Sequence, residues 1–265
     1  MGILNVTPDS FSDGGRFLDV ENAVAKGLRM EAEGADIIDV GAESTRPGAR
    51  EITAEEELTR LMPVLQKLVK TVALPISVDT YKAPVASEAL HLGVQIINDV
   101  WGLQRDPEIA AVVATYKATV IIMHNQNEAV YRDDLISELR RFFQKSLRIA
   151  HAAGISDSKI ILDPGIGFHK TFAHNVEILR RLNELKSLGY PILLGISRKS
   201  LIGHILNVPP QERLEGTLAA NVLGIQQGAS ILRVHDVAAH RRAARVADAL
   251  LKKNDNPPER PTPHG

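Results

Sequence analysis

One pattern recurs along this chain and constrains its fold more than any other feature: a short apolar run that ends in a polar side chain. The apolar residues 160–162 end in Asp163, after which Pro164 and two glycines turn the chain away. Proline cannot continue a central strand, so the run must stop there. Further apolar runs end at Asp39, at Asp79, at Asn98 with Asp99, at His124, and at Arg233 with His235. We therefore expect buried strands whose ends share one polar site.

Helical stretches separate these strands, and glycine ends most of the helices directly before the next strand. Strands are predicted at residues 2–6, 36–40, 74–78, 94–97, 118–123, 160–162, 192–194 and 230–234. Alternating strands and helices are typical of a parallel sheet with right-handed crossovers. Eight such units in 265 residues favour an α/β protein with a closed (β/α)8 TIM barrel, in which the site lies at the carboxyl ends of the strands.

The predicted barrel is a single domain over residues 1–253. Residues 254–265 contain four prolines and are predicted to be a disordered C-terminal tail. Within the barrel, Thr53 and Glu56 have the spacing of a capping box that starts a helix. Another helix is predicted to start at Asp106 and Pro107, and a further one to run over residues 175–187.

Composition excludes several classes of function. The formal net charge of −1 argues against general electrostatic binding of nucleic acid or of a membrane surface. The chain has no cysteine, so disulfides and thiolate metal sites are excluded. No apolar run reaches the roughly 18 residues of a membrane span, and the first residues lack the basic start of a signal peptide. These features predict a cytoplasmic protein.

Seven stretches, in order along the chain, together resemble the dihydropteroate synthase family. They are residues 1–15 (MGILNVTPDSFSDGG), 34–48 (GADIIDVGAESTRPG), 77–80 (SVDT), 97–100 (INDV), 162–168 (LDPGIGF), 195–200 (GISRKS) and 234–237 (VHDV). Each stretch alone is a weak signal, but the set spans the chain. The resemblance implies a (β/α)8 barrel, in agreement with the strand count. It also implies a transferase that joins 4-aminobenzoate to 6-hydroxymethyl-7,8-dihydropterin diphosphate, giving 7,8-dihydropteroate and pyrophosphate.

The resemblance assigns pterin binding to Thr45, Asp79, Asn98, Asp163 and Lys199. A pterin presents a planar edge of ring N–H, exocyclic amine and carbonyl, which carboxylates and an asparagine amide can match, while Lys199 can donate to a ring acceptor. A single aspartate after a strand is often only a loop cap. Several on successive strand ends of a barrel favour a binding site.

Diphosphate binding is assigned by the same resemblance to Asn5, Arg233 and His235, with Mg2+ as the cofactor and Asn5 as its protein ligand. Arginine can contact two phosphate oxygens at once, and an amide oxygen suits Mg2+ bound mainly by waters and phosphates. A lone histidine is more often structural than functional, but His235 lies two residues from Arg233, on the same side of one strand end. Lys199, Arg233 and His235 are the predicted catalytic residues, whereas His124 has no assigned role.

The predicted aminobenzoate slot is lined, by resemblance, by Phe11, Thr45, Pro47, Phe168, Lys199 and Ser200. Phe168 and Pro47 would supply apolar walls, and Ser200 at the start of a helix would donate to the carboxylate. No protein nucleophile is needed, because the aniline nitrogen is itself nucleophilic. Catalysis is then expected to consist of positioning and of charge stabilisation on the leaving diphosphate.

Two alternative functions fit part of the sequence. A methyltransferase that uses methyltetrahydrofolate would share the Asp and Asn pattern, but would not need residues 197–200, residues 44–47 or the pair Arg233 and His235. A non-catalytic pterin-binding paralogue would be compatible with His169, which stands where the family usually has glycine and indicates an unusual backbone angle. The family further implies a homodimer with small-molecule substrates as its other partners.

Overall fold

A computed structural model describes residues 1–6, 15–43 and 50–251, of which residues 15–19 are described by their backbone alone. Eight parallel β-strands occur in these segments. They are β1 (Gly2–Asn5), β2 (Ile38–Gly41), β3 (Ile76–Asp79), β4 (Ile96–Asp99), β5 (Thr119–Met123), β6 (Ile160–Asp163), β7 (Leu193–Leu194) and β8 (Ile231–Leu232).

The strands close into the predicted (β/α)8 barrel. Strands β1 to β6 form a continuous parallel sheet in chain order, and β7 pairs with β8. Parallel bridges join the two parts, Leu162 with Ile192 on one side and Gly2 with Val234 on the other. The Val234 amide donates to the Met1 carbonyl at 3.0 Å, so the last strand is bonded to the first.

Helices cover the outside of the barrel in the described parts of the chain. They are α1 (Gly15–Ala32), α2 (Ala54–Thr71), α3 (Ala83–His91), α4 (Ile109–Thr115), α5 (Leu135–Ala152), α6 (Phe172–Arg180), α7 (Ser200–Leu206), α8 (Leu214–Gln226) and α9 (Val237–Leu251), with short 3-10 helices at Asp157–Lys159, Leu182–Leu188 and Pro210–Glu212. The predicted capping box is present, because Thr53 Oγ1 accepts from the Glu56 amide at 3.1 Å and Glu56 accepts from the Thr53 amide at 3.2 Å. No helix of the described segments is long and apolar enough to cross a membrane.

Two helix predictions were wrong at their boundaries. Asp106 does not start α4; its carboxylate instead accepts from the amides of Glu108 at 3.0 Å and of Ala83 at 2.8 Å, so it ties two helix starts together. The helix predicted over residues 175–187 begins earlier, because Thr171 caps it, and changes to a 3-10 helix after Arg180.

The predicted tail, residues 254–265, and the last two residues of the predicted barrel lie outside the described residues.

The barrel interior consists of an apolar layer below a polar layer. Met1, Ile96, Ile121, Ile161 and Leu193 form a separate buried cluster, with Ile37 and Ile231 packed against it. Side chains two residues apart on a strand point to the same face. On each strand, the next interior side chain after this cluster lies two residues further along the chain. On four strands that side chain is polar, namely Asp39, Asn98, Asp163 and Arg233. The fold thus places a polar cluster at the carboxyl end of the barrel.

Candidate functional site

The polar layer is almost fully enclosed. The exposed fractions are 0% for Asp39, 8% for Asp79, 3% for Asn98 and 5% for Asp163. Burying a charge is costly unless it is paired, so each of these carboxylates requires a partner in the protein or in a ligand.

Arg233 supplies part of that pairing from the end of β8. Its Nε donates to Asp39 Oδ2 at 2.6 Å, and its Nη2 donates to Asp79 Oδ2 at 2.8 Å. Asn98 Nδ2 also donates to Asp39 Oδ2, at 3.2 Å. Burial alone would lower the pKa of Arg233, but Asp39 and Asp79 outweigh burial and raise it above its ordinary value. The guanidinium is therefore a fixed positive charge between two strand ends.

Three buried acceptor atoms in this cluster have no hydrogen-bond partner among the described residues. They are Asp39 Oδ1, Asp79 Oδ1 and Asn98 Oδ1, on the neighbouring strands β2, β3 and β4. Buried polar atoms in folded proteins are rarely left without a partner. A row of three such acceptors is complementary to a ligand edge that carries several N–H donors.

Asp163 and Lys199 form the other side of the cluster. Asp163 Oδ1 accepts from the Gly165 amide at 2.7 Å, which fixes the turn after β6. A Cβ atom on Gly195 would lie 3.7 Å from Asp163 Oδ2 and 3.9 Å from Arg233 Cβ, so this glycine keeps space between them. Burial raises the pKa of Asp163, and Lys199 opposes that shift. Burial likewise lowers the pKa of Lys199 to about 8, against the attraction of Asp163.

Lys199 also contacts the segment that follows β6. Its Nζ donates to the Ile166 carbonyl and lies 4.5 Å from the centre of the Phe168 ring. The structure therefore brings together Asp163, Lys199 and Phe168, three residues predicted to contact the two substrates.

His235 is held by Ser197, a residue that the sequence analysis did not assign to the site. Ser197 Oγ accepts from the His235 backbone amide at 3.1 Å and lies 2.9 Å from His235 Nδ1. Burial, followed by the charges of Arg198, Arg233 and Lys26, lowers the pKa of His235 to about 4. The ring is thus neutral near pH 7, and its Nε2 remains for another partner.

The remaining predicted site residues have more varied positions. Asn5 is the last residue of β1, and Ser200 is the first of α7. Phe11, Thr45 and Pro47 lie outside the described residues. Asp39 was missed as a site residue, although it follows an apolar run in the sequence as Asp79 does; in the structure it lies inside β2, whereas Asp79 is the last residue of β3.

Asp99 is a loop cap. Its two carboxylate oxygens accept from the amides of Trp101 at 2.7 Å and Leu103 at 2.6 Å. It follows that this buried aspartate organises the turn after β4 and does not face the polar cluster.

We expect Asp79 to make the protein less stable as the pH rises from about 4 to about 7. Burial raises the pKa of Asp79 from 3.8 to about 7, with Arg233 opposing and Asp39 adding to the shift. Between these values the folded protein keeps a proton that the unfolded chain has lost, so the free energy of unfolding falls with rising pH. Denaturant titrations across this pH range measure the free energy of unfolding of the parent protein and of Asp79→Asn. The value for the parent should fall relative to that of the variant by at most about 1.4 kcal/mol per pH unit. A constant difference between the two proteins would contradict the raised pKa.

Comparisons with known proteins agree on one family. Residues 1–235 match the family described as "Pterin binding enzyme". Dihydropteroate synthase of Bacillus subtilis is 49% identical over 253 residues, which are 96% of this chain and 88% of that protein. A crystal structure of dihydropteroate synthase from Clostridium difficile, determined in the presence of pteroic acid, has 55% identity, a TM-score of 0.94 and 96% coverage of both chains. Xanthomonas albilineans dihydropteroate synthase with 4-aminobenzoic acid has 47% identity, a TM-score of 0.90 and coverage of 94% of this chain and 92% of that one. The chain therefore belongs to the dihydropteroate synthase family of pterin-binding enzymes.

Proposed function

We propose that the polar cluster binds the pterin ring of 6-hydroxymethyl-7,8-dihydropterin diphosphate, and that the chain transfers this pterin to 4-aminobenzoate. The observation that carries the proposal is the row of three unpartnered acceptors, Asp39 Oδ1, Asp79 Oδ1 and Asn98 Oδ1. The ring N–H and exocyclic amine of a pterin provide donors for such a row. Asp163 Oδ2 and Lys199 Nζ would contact the rest of the ring edge.

The diphosphate would lie above Arg233, beside His235. Arg233 uses Nε and Nη2 on carboxylates, which leaves its Nη1 donors for phosphate oxygens. Because the His235 pKa is low, this ring would contribute an Nε2–H hydrogen bond, and an approaching anion would raise its pKa. Arg233 would then link recognition of the pterin to recognition of the leaving group.

The residues at the end of β1 fit a Mg2+ ion that is bound mainly by the substrate. Asn5 offers one amide oxygen, and the described residues contain no group of three or more His, Asp or Glu side chains that would hold a metal alone. One protein oxygen together with waters and diphosphate oxygens is a usual environment for Mg2+. When bound there, Mg2+ would neutralise charge on the departing diphosphate.

The aminobenzoate would lie against Phe168 and Lys199, near the start of α7. Its amino nitrogen attacks the methylene carbon of the pterin, the C–N bond forms as the C–O bond to diphosphate breaks, and the nitrogen loses a proton. The Phe168 ring supplies an apolar wall, and the ammonium of Lys199 supplies positive charge close to that wall. The Clostridium and Xanthomonas enzymes, crystallised with pteroic acid and 4-aminobenzoic acid, support ligands of this chemistry for the present chain.

A coupled assay for pyrophosphate release tests the proposed function. We expect release only when the pterin diphosphate, 4-aminobenzoate and Mg2+ are all present. The variant Asn98→Leu, which removes one pterin acceptor and the bond from Asn98 Nδ2 to Asp39 at nearly constant side-chain size, should lower the rate. Tight pterin binding without pyrophosphate release would instead indicate a non-catalytic paralogue, and methyl transfer from methyltetrahydrofolate would indicate the methyltransferase.

We further propose that the protein is a homodimer through an apolar face formed by α7 and α8. Helix α8 turns Thr217, Asn221 and Gly224 inward, whereas its Leu223 is 61% exposed. Ile205 and Leu206 of α7 are exposed beside it. A helix that is apolar on its outer side is typical of one that is covered by a partner.

Sedimentation velocity should give about twice the monomer mass of 28.9 kDa. The variant Leu223→Glu should shift the protein toward monomer, while Val246→Glu, at a similarly exposed position on α9, should not. A monomeric parent protein at micromolar concentration would contradict the proposal.

We place the reaction in the cytoplasm, in keeping with a chain that has no cysteine.

A further inference from the structure

Lys170 joins the ends of two neighbouring strands, and the substrate contacts proposed above do not involve it. Its Nζ lies 3.0 Å from His124 Nδ1, and it donates to the His124 carbonyl at 3.3 Å and to the Phe168 carbonyl at 3.1 Å. A lysine ammonium has three N–H donors, so the protein itself uses all of them. The side chain therefore bonds the segment after β6 to the end of β5.

The two strand ends are in close contact beside this lysine. Gly165 has a φ of 68°, and a Cβ atom there would lie 2.1 Å from the His124 carbonyl oxygen and 3.2 Å from Lys170 Nζ. Only glycine fits this position, because of both the backbone angle and the space. The segment after β6 is thus packed directly on the backbone of His124.

A second tie lies next to the first. His169 has a φ of 42°, and its Nδ1 lies 3.2 Å from Asn125 Oδ1 in the segment after β5. Glycine at this position would lack the tie, so His169 adds a contact in this chain. From the opposite side, Lys199 donates to the Ile166 carbonyl. Lys170 therefore bonds the carbonyl of Phe168, while Lys199 lies over its ring.

We infer that Lys170, supported by His169, is a positioning residue that fixes residues 164–170 on the end of β5 and thereby sets the Phe168 wall of the aminobenzoate slot. This inference rests on the proposed function, since the slot is part of that proposal. Lys170 contacts no substrate in it. Its effect reaches the reaction through Phe168.

The surroundings of Lys170 indicate that the charge can be removed without unfolding the protein. The His124 ring packs against Phe142, with 4.7 Å between ring centres, and lies 6.2 Å from Tyr131. Burial in this apolar environment lowers the pKa of Lys170 to about 7, and Asp163 opposes the shift. The folded protein therefore accommodates the neutral form of this side chain near pH 7, and methionine has a similar length.

The test compares Lys170→Met with Lys145→Met, which changes an exposed lysine on α5. In the pyrophosphate assay we expect Lys170→Met to raise KM for 4-aminobenzoate about tenfold or more, because the hydrogen bonds that hold the segment after β6 on the end of β5 are lost. Calorimetry should show the affinity for the pterin diphosphate within about twofold of the parent. Lys145→Met should change neither value. Equal weakening of both ligands would overturn the inference, because Lys170 would then support the barrel as a whole.

Amide hydrogen exchange gives a readout that does not depend on turnover. The Phe168 amide, which donates to the Gly165 carbonyl at 3.2 Å, should exchange faster in Lys170→Met and, to a smaller extent, in His169→Gly. Unchanged exchange in both variants would overturn the inference even if the parent enzyme is active. Faster exchange in the two variants, together with a parent protein that releases no pyrophosphate, would support the tie and contradict the proposed function.

Discussion

Replacing Arg233 with methionine is expected to lower the free energy of unfolding by about 3–5 kcal/mol and to abolish detectable pyrophosphate release. The guanidinium bonds Asp39 at 2.6 Å and Asp79 at 2.8 Å, and both carboxylates are buried. Removing it leaves two buried acidic groups close together without a cation, which costs far more than the contacts themselves contribute. Urea titrations at pH 7, followed by circular dichroism, measure the loss of stability.

A surface ion pair provides the control for this variant. Arg241 lies 3.3 Å from Asp36, with side chains 51% and 73% exposed, so Arg241→Met should cost less than about 1 kcal/mol. The double variant Arg233→Met with Asp39→Asn should regain part of the lost stability, because the buried charge of Asp39, which Arg233 no longer compensates, is gone as well. An Arg233→Met protein that unfolds at the parent's urea concentration would show that the carboxylates do not need this cation.

The same variant separates binding of the two parts of the substrate. At low temperature or in stabilising salt, where the variant is folded, its affinity for the diphosphate ester should fall more than its affinity for the bare hydroxymethyl pterin. The reason is that Arg233 would bond the phosphate directly through Nη1. Its Nε and Nη2 bond Asp39 and Asp79, so they affect binding of the pterin ring only by positioning these two carboxylates. Equal losses for the two ligands would assign Arg233 a purely structural role.

The barrel could be predicted from the sequence because its signals are local. Apolar strands, glycine helix stops and the capping box at Thr53 each depend on residues within a few positions of one another. The polar ends of the strands could be predicted for the same reason. Once the strands are parallel, their carboxyl ends must meet.

The partners of those polar residues could not be predicted, since they depend on distances across the closed barrel. Arg233 and Asp39 are 194 residues apart, and Lys170 and His124 are 46 residues apart. No spacing in the sequence indicates that the Arg233 guanidinium would bond both Asp39 and Asp79. Asp39 itself has the local pattern of a site residue, and only its contacts distinguish it from a loop cap.

Asp99 and Asp163 illustrate the same limit, because each directly follows buried strand residues and each is itself buried. Both carboxylate oxygens of Asp99 accept hydrogen bonds from backbone amides of its own loop. In Asp163 only Oδ1 accepts such a bond, from the Gly165 amide. Substituting asparagine at both positions turns this structural difference into a measurable one.

Asp163→Asn is expected to weaken pterin binding by about 1.5–3 kcal/mol with little change in stability. The asparagine Oδ1 can still accept from the Gly165 amide, but its NH2 group would face the N–H donors of the pterin. Asp99→Asn should behave in the opposite way, because its NH2 must face the amide of Trp101 or of Leu103, costing about 1–3 kcal/mol of stability while pterin affinity stays within about twofold. Calorimetry with the pterin and urea titration of both variants measure the two effects. If Asp163→Asn lost stability and kept its pterin affinity, Asp163 would be a loop cap like Asp99, and the pterin would have to be held by the acceptors of β2, β3 and β4 alone.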